Sequence, residues 1–391
     1  MAINVNLFCQ LLTLLPKNSF SSLVKKHQSD KHTKGIDSWT HFVSMLFCHI
    51  GQANSVRDIS NGLMSTTGNI NHLGVERAPS KSTVSYVNAN RDWRLFRDFY
   101  FSVLEHITAT HSFPRQHLRR LKRKIYLMDA SILPLCLSMF DWAKYKTNKG
   151  AGKLHAVLDY DGCLPVYACV TDGKTHEVNI AKNLLFPVGS VVVFDRGYID
   201  YEWMNNLDSR KVFFVTRTKD NMAYRVIEDF KTEGLEPDCI LEDKDIELIL
   251  PVAKRSYPGK LRLVRFLDSK TGKEYTFLTN NRKWSAKTVA DIYKERWHIE
   301  VFFKHVKQNL SIKSFVGTSE NAVQIQIWTA MIAILLLKFL QYKAHYKWNL
   351  SNLITFIRLN LFVKIPLFDW LNKPFYETDV GKNNLQLTIN L

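Results

Sequence analysis

The sequence is 391 residues long, with 46% hydrophobic and 12% aromatic residues, enough to build a sizeable core and two or three domains. Lysine and arginine number 53 against 36 acidic residues, and the formal net charge of +17 favours a polyanionic partner such as nucleic acid. The six cysteines are scattered without a C-x-x-C pair. We therefore exclude a disulfide framework and expect reduced thiols in a cytosolic protein.

Two apolar stretches require a choice between membrane and core. The opening MAINVNLFCQLLTLLP has no basic residue before its apolar part and no small-residue cleavage site after it, so we expect a helix and not a signal peptide. Residues 321–337 carry no charge but contain two glutamines. That stretch is about a residue short of the usual spanning length, so we expect a buried core helix and no membrane association.

Helical spacing of the apolar residues dominates from Leu7 to about Ile107 and predicts an all-helical N-terminal domain over residues 1–112. Ser80 or Ser82 is expected to cap a helix whose polar side chains suit contact with DNA. Those side chains are Ser85, Tyr86, Asn88 and Arg91. The distance to the preceding helix is too long for a helix-turn-helix turn, so a purely structural bundle remains the alternative.

After a basic run at residues 115–124, which alone is typical of a solvated linker, the apolar pattern becomes that of strands. The expected strands cover 125–133, 153–159, 164–171, 191–194 and VFFVTRT, with helices over 176–185 and 201–209. Residues 221–280 are typical of a β-rich insertion, and helical spacing returns over 285–310 and on to about residue 371. The expected limits are 120–342 for this α/β domain and 343–391 for a C-terminal helical segment with a frayed tail.

Three acidic residues stand out because of their positions in these elements. Asp129 lies inside the apolar strand IYLMDASIL, and Asp195 follows VVVF just before a turn that contains glycine. A charged side chain in a buried strand is costly unless a cation pairs with it, and ligand sites of α/β sheets lie at strand ends. Glu300 lies on the 285–310 helix, and the neighbours expected on the same helix face are Tyr293, Arg296 and Lys307.

Carboxylate oxygens are hard ligands that suit Mg²⁺ or Mn²⁺ better than zinc. Two such ions can activate a water or a 3′-hydroxyl group and stabilise the leaving oxygen during attack on a phosphodiester. Asp129, Asp195 and Glu300 are therefore the predicted metal ligands and catalytic residues. Each acid alone has a structural alternative, as a turn residue for either aspartate and as an i,i+4 partner of Arg296 for Glu300. Together they favour metal-assisted phosphoryl transfer on DNA.

The spacing Y-x2-R-x3-E-x6-K resembles the signature of the insertion-sequence-four family of DDE transposases, and the matching residues are Tyr293, Arg296, Glu300 and Lys307. The resemblance includes DAS at Asp129 and DRGY at Asp195, and it covers roughly residues 120 to 340. The first 110 residues also resemble a domain often fused to these transposases. The role of that domain in the family is not established.

This resemblance implies an α/β fold with an RNase H-like mixed-sheet core, a β-rich insertion, an N-terminal all-helical domain and C-terminal helices. It also implies cut-and-paste transposition by a DDE mechanism with two Mg²⁺ ions, which Mn²⁺ can replace. The implied partners are double-stranded DNA, as terminal inverted repeats and target, and a second copy of the chain in a homodimeric synaptic complex. The residues implied to bind DNA are Tyr293, Arg296, Lys307, Arg217 and Lys219.

Some relatives in that family stack a flipped base on a tryptophan of the insertion. Tyr275 occupies about that place in this sequence and is a candidate for stacking. Close to the predicted site, Trp297 is expected to belong to the core and His298 to be an ordinary helix-face residue.

Two other functions remain open from the sequence. A non-catalytic DNA-binding protein derived from a transposase would use only the basic surface, although the intact acids and their spacing argue against decay. A nuclease of the same fold would cut without strand transfer, although the insertion and the N-terminal domain favour the transposase. For the transposase we expect a cytoplasmic bacterial protein associated with the nucleoid.

Overall fold

A computed structural model of the chain describes residues 5–33, 35–66, 70–111, 113, 118, 121–135, 144–146, 149–219, 221–230, 239–309 and 315–375. The predicted frayed tail and half of the basic run at 115–124 lie outside the described residues. Helices occupy both ends of the described chain, and strands occupy its middle.

The N-terminal part contains six helices: α1 (Leu7–Thr13), α2 (Lys17–Lys26), α3 (Ser38–Ile50), α4 (Val56–Met64), α5 (Lys81–Asn90) and α6 (Arg94–Thr110). The side chains of Asn6, Asp37, Ser55 and Ser80 cap α1, α3, α4 and α5 by accepting a hydrogen bond from a backbone N–H in the first turn. The cap at Ser80 is the one that the sequence predicted. Every residue of α3 is buried, so the other helices pack around it.

Six strands follow: β1 (Ile125–Leu135), β2 (Lys144–Lys146), β3 (Lys149–Asp159), β4 (Leu164–Asp172), β5 (Val191–Phe194) and β6 (Phe213–Arg217). Helix α7 (Glu177–Ala181) precedes β5, and helix α8 (Tyr201–Ser209) follows it. Strand β3 pairs antiparallel with β1 and β4, whereas β5 lies parallel between β1 and β6. This mixed sheet confirms the predicted α/β class. Helix α7 is shorter than expected because the chain turns back within a few residues to enter β5.

The segment after β6 continues the same sheet. Its elements are β7 (Tyr224–Asp229), β8 (Ile240–Leu248), α9 (Pro251–Ser256), β9 (Leu261–Asp268) and β10 (Lys273–Thr279). Strand β10 pairs antiparallel with β6, and β9, β8 and β7 follow in turn, so the described sheet has ten strands. These strands lie where the insertion over 221–280 is predicted. Their pairing covers backbone groups of β6 that would otherwise form an open edge.

The C-terminal helices are α10 (Ala286–Lys294), α11 (Trp297–Asn309), α12 (Glu320–Lys343), α13 (Leu350–Leu359) and α14 (Leu367–Asn372). By length and composition, α12 is the one helix in the described part of the chain that could cross a membrane. However, 94% of the most apolar 18-residue segment of α12 is buried inside the protein. Helix α12 therefore belongs to the core, as the sequence predicted.

One hydrophobic core crosses all the predicted domain limits. It joins the N-terminal helices, one face of the sheet and the helices from α10 to α14, and a second cluster covers the opposite face of the sheet. His49 of α3 hydrogen-bonds Thr329 of α12 at 2.9 Å, and the Leu7 N–H donates to the Val363 carbonyl at 2.9 Å. The limits at residues 112, 120 and 342 thus remain predictions drawn from sequence pattern.

Candidate active site

Asp129 and Asp195 lie side by side on neighbouring strands. The parallel pairing of β1 with β5 places Met128 opposite Phe194, and the next residue on each chain is the aspartate. Adjacent strands are about 4.8 Å apart, so the two aspartates lie next to each other at the end of β5. Met128 and Phe194 pack into the cluster on one face of the sheet. Asp129 therefore faces the other side, where α11 packs.

Asp129 is a mostly buried acid whose charge is only partly compensated. Burial raises its pKa from 3.8 to about 6, although a hydrogen bond from the Ala130 N–H and the charge of Arg296 act in the opposite direction. Repulsion from Asp195 and Glu177 adds to the increase. A buried carboxyl group with other carboxylates beside it favours the binding of a cation.

Arg296 connects the strand acid with the helix acid. Its Nη1 lies 3.3 Å from Asp129 Oδ2, and its Nη2 lies 2.5 Å from Glu300 Oε1. The guanidinium also lies over the ring of Tyr293, 5.5 Å from the ring centroid. The Arg296 guanidinium therefore contacts three other residues that the sequence selected: Asp129, Tyr293 and Glu300.

The residues of the Y-x2-R-x3-E-x6-K pattern do not share one straight helix, contrary to the sequence expectation. Helix α10 ends at Lys294 and α11 begins at Trp297, and the Arg296 N–H bonds the Tyr293 carbonyl only three residues back, as in a tight turn. The helix breaks because its two parts pack on different strands. Tyr293 packs on Phe277 of β10, with ring centroids 4.9 Å apart, whereas α11 lies on β1.

An open cleft of about 350 Å³ adjoins these contacts. Its lining residues are Asp129, Ala130, Ser131, Glu300, Phe303, Lys304, Lys307 and Gln308. Burial lowers the pKa of Lys307, which marks a partly desolvated ammonium group next to the acids. The cleft thus places two carboxylates and two lysines around a space that is open to a ligand.

Arg217 and Lys219 lie beside this cleft and not within its lining. Arg217 ends β6, and its guanidinium lies 5.3 Å from the ring centroid of Tyr275. Lys219 Nζ donates to the Ile199 carbonyl at 3.3 Å, in the turn that follows Asp195. Because Arg217 lies over the Tyr275 ring, a base could stack on that face only after the arginine moves. The DNA contacts of these residues remain predictions.

The donor set fits divalent ions of the Mg²⁺ class, because Asp129, Asp195 and Glu300 offer hard carboxylate oxygens at the end of a sheet. As the described side chains stand, no three His, Cys, Asp or Glu residues are close enough together to hold a metal ion. Arg296 accounts for part of this, because its guanidinium lies between Asp129 and Glu300. A metal ion shared by Asp129 and Glu300 would therefore have to replace the guanidinium between them.

Two further polar groups near the site were missed from the sequence. Glu177 starts α7 and affects the pKa of Asp129, and the Tyr198 hydroxyl is buried near the same carboxylates. Tyr198 belongs to the DRGY motif that the sequence analysis used only for Asp195. Glu177 lies in a segment expected to be an ordinary connecting helix, so the sequence carries no signal for it.

His298 also differs from its expected role as an ordinary helix-face residue. Hydrogen bonds to Cys163 and Glu295 raise its pKa to about 9, although burial acts in the opposite direction. Its Nε2 lies 3.0 Å from Glu295 Oε2. This contact secures the turn between α10 and α11.

The structure contradicts two other sequence expectations. Of the four side chains predicted to contact DNA from α5 and its C-terminal end, only Ser85 and Tyr86 are exposed. Asn88 bonds the buried His41 at 2.7 Å, and Arg91 donates to the Ile36 carbonyl at 2.8 Å. These two side chains hold the bundle together and are not free to contact DNA. Trp297 was expected in the core but is 64% exposed, because it begins α11 on the side away from the sheet.

Comparison with known proteins supports the interpretation of the fold. A family described as Transposase DDE domain matches residues 120–336, and a domain of unknown function, DUF4372, matches residues 4–76. The strand order β4-β3-β1-β5-β6, three antiparallel strands followed by two parallel ones, is the predicted RNase H-like core. Such a core is typical of enzymes that act on nucleic acids. Within that class, the chain belongs to the transposase DDE domain family.

The similar proteins carry transposase names. Transposase y4zB of Sinorhizobium fredii is 31% identical over 67% of this chain and 71% of its own length. A transposase for insertion sequence element IS5377 of Geobacillus stearothermophilus is 29% identical over 64% of this chain and 66% of its own length. A transposase for insertion sequence element IS4SA of Synechocystis is 24% identical over 75% of this chain and 81% of its own length. A solved piggyBac transposase synaptic complex with hairpin DNA is similar over 94% of this chain and 81% of that chain, with 10% identity and a TM-score of 0.46.

Proposed function

We propose that the protein is a DNA transposase that cleaves and joins DNA strands at the ends of an insertion sequence, with Asp129, Asp195 and Glu300 as its catalytic acids. The observation that carries this proposal is the contact of Arg296 with both Asp129 and Glu300. Arg296 lies 167 residues after the strand acid Asp129, and it joins that acid to the helix acid Glu300 at an open cleft. Charged groups are rarely gathered in this way for stability alone.

The proposed cofactors are two Mg²⁺ ions, which Mn²⁺ can replace. When bound, they activate the attacking oxygen and stabilise the leaving oxygen of the phosphodiester. The carboxylates of Asp129, Asp195 and Glu300 would hold them. Arg296 lies between the carboxylates of Asp129 and Glu300 and reduces the electrostatic repulsion between them. The ring of Tyr293 packs against the Arg296 guanidinium.

The proposed partner is double-stranded DNA, in the form of the terminal inverted repeats and the target. The residues proposed to hold its phosphates are Tyr293, Arg296, Lys307, Arg217 and Lys219. Of these, Lys307 lines the cleft. Ser85 and Tyr86, which are exposed on α5, remain candidates for DNA contact by the N-terminal helices. We further propose a homodimer in the synaptic complex and a cytoplasmic location associated with the nucleoid.

Cleavage of a labelled duplex that carries the terminal repeat, with Mg²⁺ or Mn²⁺, tests this proposal. Asp129→Asn, Asp195→Asn and Glu300→Gln should each leave no detectable cleavage while the duplex is still bound. Glu105→Gln is a suitable control, because this acid is exposed on α6 and does not line the cleft. Cleavage that persists in any of the three variants would remove that acid from the site.

Binding without cleavage by the wild type would favour the non-catalytic DNA-binding alternative. Phosphate contacts can be separated from base contacts by the salt dependence of binding. Loss of one phosphate contact reduces the magnitude of the slope of the logarithm of the DNA-binding constant against the logarithm of the salt concentration by about 0.9. Arg217→Gln and Lys219→Gln should therefore each reduce the slope by about that amount.

A further inference from the structure

A second cleft, between α4 and α5 of the N-terminal helices, has no role in the function proposed so far. Its volume is about 360 Å³, close to that of the cleft at the predicted active site. The residues that line it are Arg57, Ser60, Asn61, Met64, Ala78, Pro79, Ser80 and Lys81. None of them is acidic, and none lines the other cleft. This second cleft is therefore a basic feature separate from the predicted catalytic acids.

Arg57 and Lys81 supply the positive charge of this second cleft. Both side chains are exposed, and within the part of the chain that the structure describes neither forms an ion pair. Asp58, the acid next to Arg57 in sequence, accepts a hydrogen bond from the Asn54 N–H at 3.1 Å and does not line the cleft. Exposed cations that no acid neutralises attract phosphate groups. The cleft is thus suited to a polyanion.

Hydrogen bonds fix the part of the chain that lies between the two cations. The Ser60 hydroxyl of α4 donates to the Pro79 carbonyl at 2.5 Å, just before α5 begins. The Ser80 side chain then caps α5 by accepting a hydrogen bond from the Thr83 N–H at 3.2 Å. Both helices pack into the hydrophobic core with their other faces. The two cations therefore stand on rigid elements, which reduces the entropy lost when a ligand binds.

The exposed face of α5 fits a groove of duplex DNA. Helix α5 contains no acidic residue, and the exposed side chains of its first three turns are Lys81, Ser82, Ser85, Tyr86 and Ala89. A major groove about 12 Å wide admits an α-helix, and small side chains allow a close approach to the bases. Tyr86 is 69% exposed, and its hydroxyl and that of Ser85 can hydrogen-bond base edges. We call this face and the cleft beside it the α4–α5 surface, which consists of Arg57, Asn61, Lys81, Ser85 and Tyr86.

We propose that the α4–α5 surface binds the terminal repeat as duplex DNA, with α5 in the major groove and the two cations on phosphates beside it. This inference rests on the proposed transposase function and deepens it, because it assigns recognition of the repeat to a surface without catalytic acids. Phosphate contacts carry no sequence information, whereas contacts to base edges do. The hydroxyl groups on α5 therefore favour the repeat, which has one sequence, over DNA of arbitrary sequence.

Binding of the full-length protein to a labelled terminal-repeat duplex in EDTA, followed by fluorescence anisotropy at several salt concentrations, tests the phosphate contacts. Arg57→Gln and Lys81→Gln should each weaken binding. Each should also reduce the magnitude of the slope of the logarithm of the binding constant against the logarithm of the salt concentration by about 0.9. Lys25→Gln is the matched control, because this lysine is exposed on α2 and does not line the cleft. It should bind like the wild type.

Competition between the repeat and a duplex of the same composition but scrambled sequence tests the contacts to bases. Joint replacement of Ser85 and Tyr86 by alanine should reduce the preference for the repeat by roughly 5- to 100-fold. The salt dependence of this double variant should stay that of the wild type, because no charge is removed. An unchanged preference would overturn the assignment of repeat recognition to α5.

The unfolding temperature shows whether each variant is folded before it is titrated, and it should not change because the replaced side chains are exposed. Wild-type affinity and salt dependence in both Arg57→Gln and Lys81→Gln would overturn this inference alone if the wild type cleaves the repeat. If the wild type binds the repeat without cleaving it, and the variants show the expected losses, the inference is supported and the proposed catalysis is contradicted. A wild type that neither binds nor cleaves the repeat would overturn both.

Discussion

At the scale of single residues, Asp129 lowers the stability of the metal-free protein. Burial holds its pKa at about 6, above the usual 3.8, so the folded state binds more protons than the unfolded state between these values. The free energy of unfolding therefore falls as the pH rises through this window. We predict that Asp129→Asn raises the free energy of unfolding by about 1–3 kcal/mol at pH 8, because a pKa shift of two units corresponds to at most about 3 kcal/mol.

Urea denaturation in EDTA measures this effect. The increase in the free energy of unfolding caused by Asp129→Asn should become smaller as the pH falls. It should be nearly absent at pH 3.5, where the wild-type carboxyl is mostly protonated in both the folded and the unfolded state. Glu76→Gln, at an exposed position, is the control and should change little at either pH. An equal effect of Asp129→Asn at both pH values would mean that the charge is not its cause.

His298 has the opposite dependence on pH. Hydrogen bonds to Cys163 and Glu295 raise its pKa from 6.5 to about 9, so its stabilising contribution is complete below pH 6.5 and is lost as the pH rises through 9. Its side chain is 33% exposed, and solvent screening reduces the contribution to about 1–2 kcal/mol. We predict that His298→Gln lowers the free energy of unfolding by that amount at pH 6 and far less at pH 10. Urea denaturation at both pH values checks this, and an equal loss would contradict it.

At the scale of elements, the core strands were predictable because their apolar runs and the breaks between them are local features of the sequence. The positions of Asp129 and Asp195 on those strands followed from the same pattern. The break at Arg296 was not predictable, because spacings of three, four and seven residues look the same in one helix or two. The burial of Asn88 depends on His41, a partner far away in sequence, and no local pattern reports it.

Arg262 of β9 forms a buried ion pair with β8 and a hydrogen bond to the segment that leads into α10. Arg262 donates to Asp243 of β8 through Nε at 2.7 Å and Nη2 at 2.6 Å, and its Nη1 lies 2.5 Å from the Trp284 carbonyl. Removal of one partner leaves an uncompensated buried charge. We predict that Arg262→Ala lowers the free energy of unfolding by about 3–5 kcal/mol.

Chemical denaturation measures this loss, and the same strand offers a control. Arg265 pairs with Glu242 and Glu274 on the surface, so Arg265→Ala should lose much less stability than Arg262→Ala. Joint replacement of Arg262 and Asp243 by leucine should recover part of the loss, because no unpaired charge remains. A loss in Arg262→Ala no larger than that in Arg265→Ala would show that the pair contributes little.

At the scale of the whole molecule, the N-terminal helices and the mixed sheet are expected to fold as one unit. Helix α12 packs in the same core as α3 and α6, and His49 bonds Thr329 across that contact. We predict that a chain lacking residues 1–112 aggregates, because it exposes the apolar face of α12. Sedimentation and thermal unfolding of the shortened chain test this. A monodisperse chain that unfolds cooperatively would instead support an independent second domain.

The position of α12 has a consequence for the synthesis of the protein. Helix α3 ends at Ile50, whereas its packing partner α12 begins only at Glu320. At about 5–20 residues per second, the ribosome needs roughly 15 to 55 seconds to produce the chain between them. The apolar faces of the N-terminal helices emerge long before their partner exists. Accumulation of the native protein is therefore expected to depend on chaperones that hold the nascent helices until α12 leaves the ribosome.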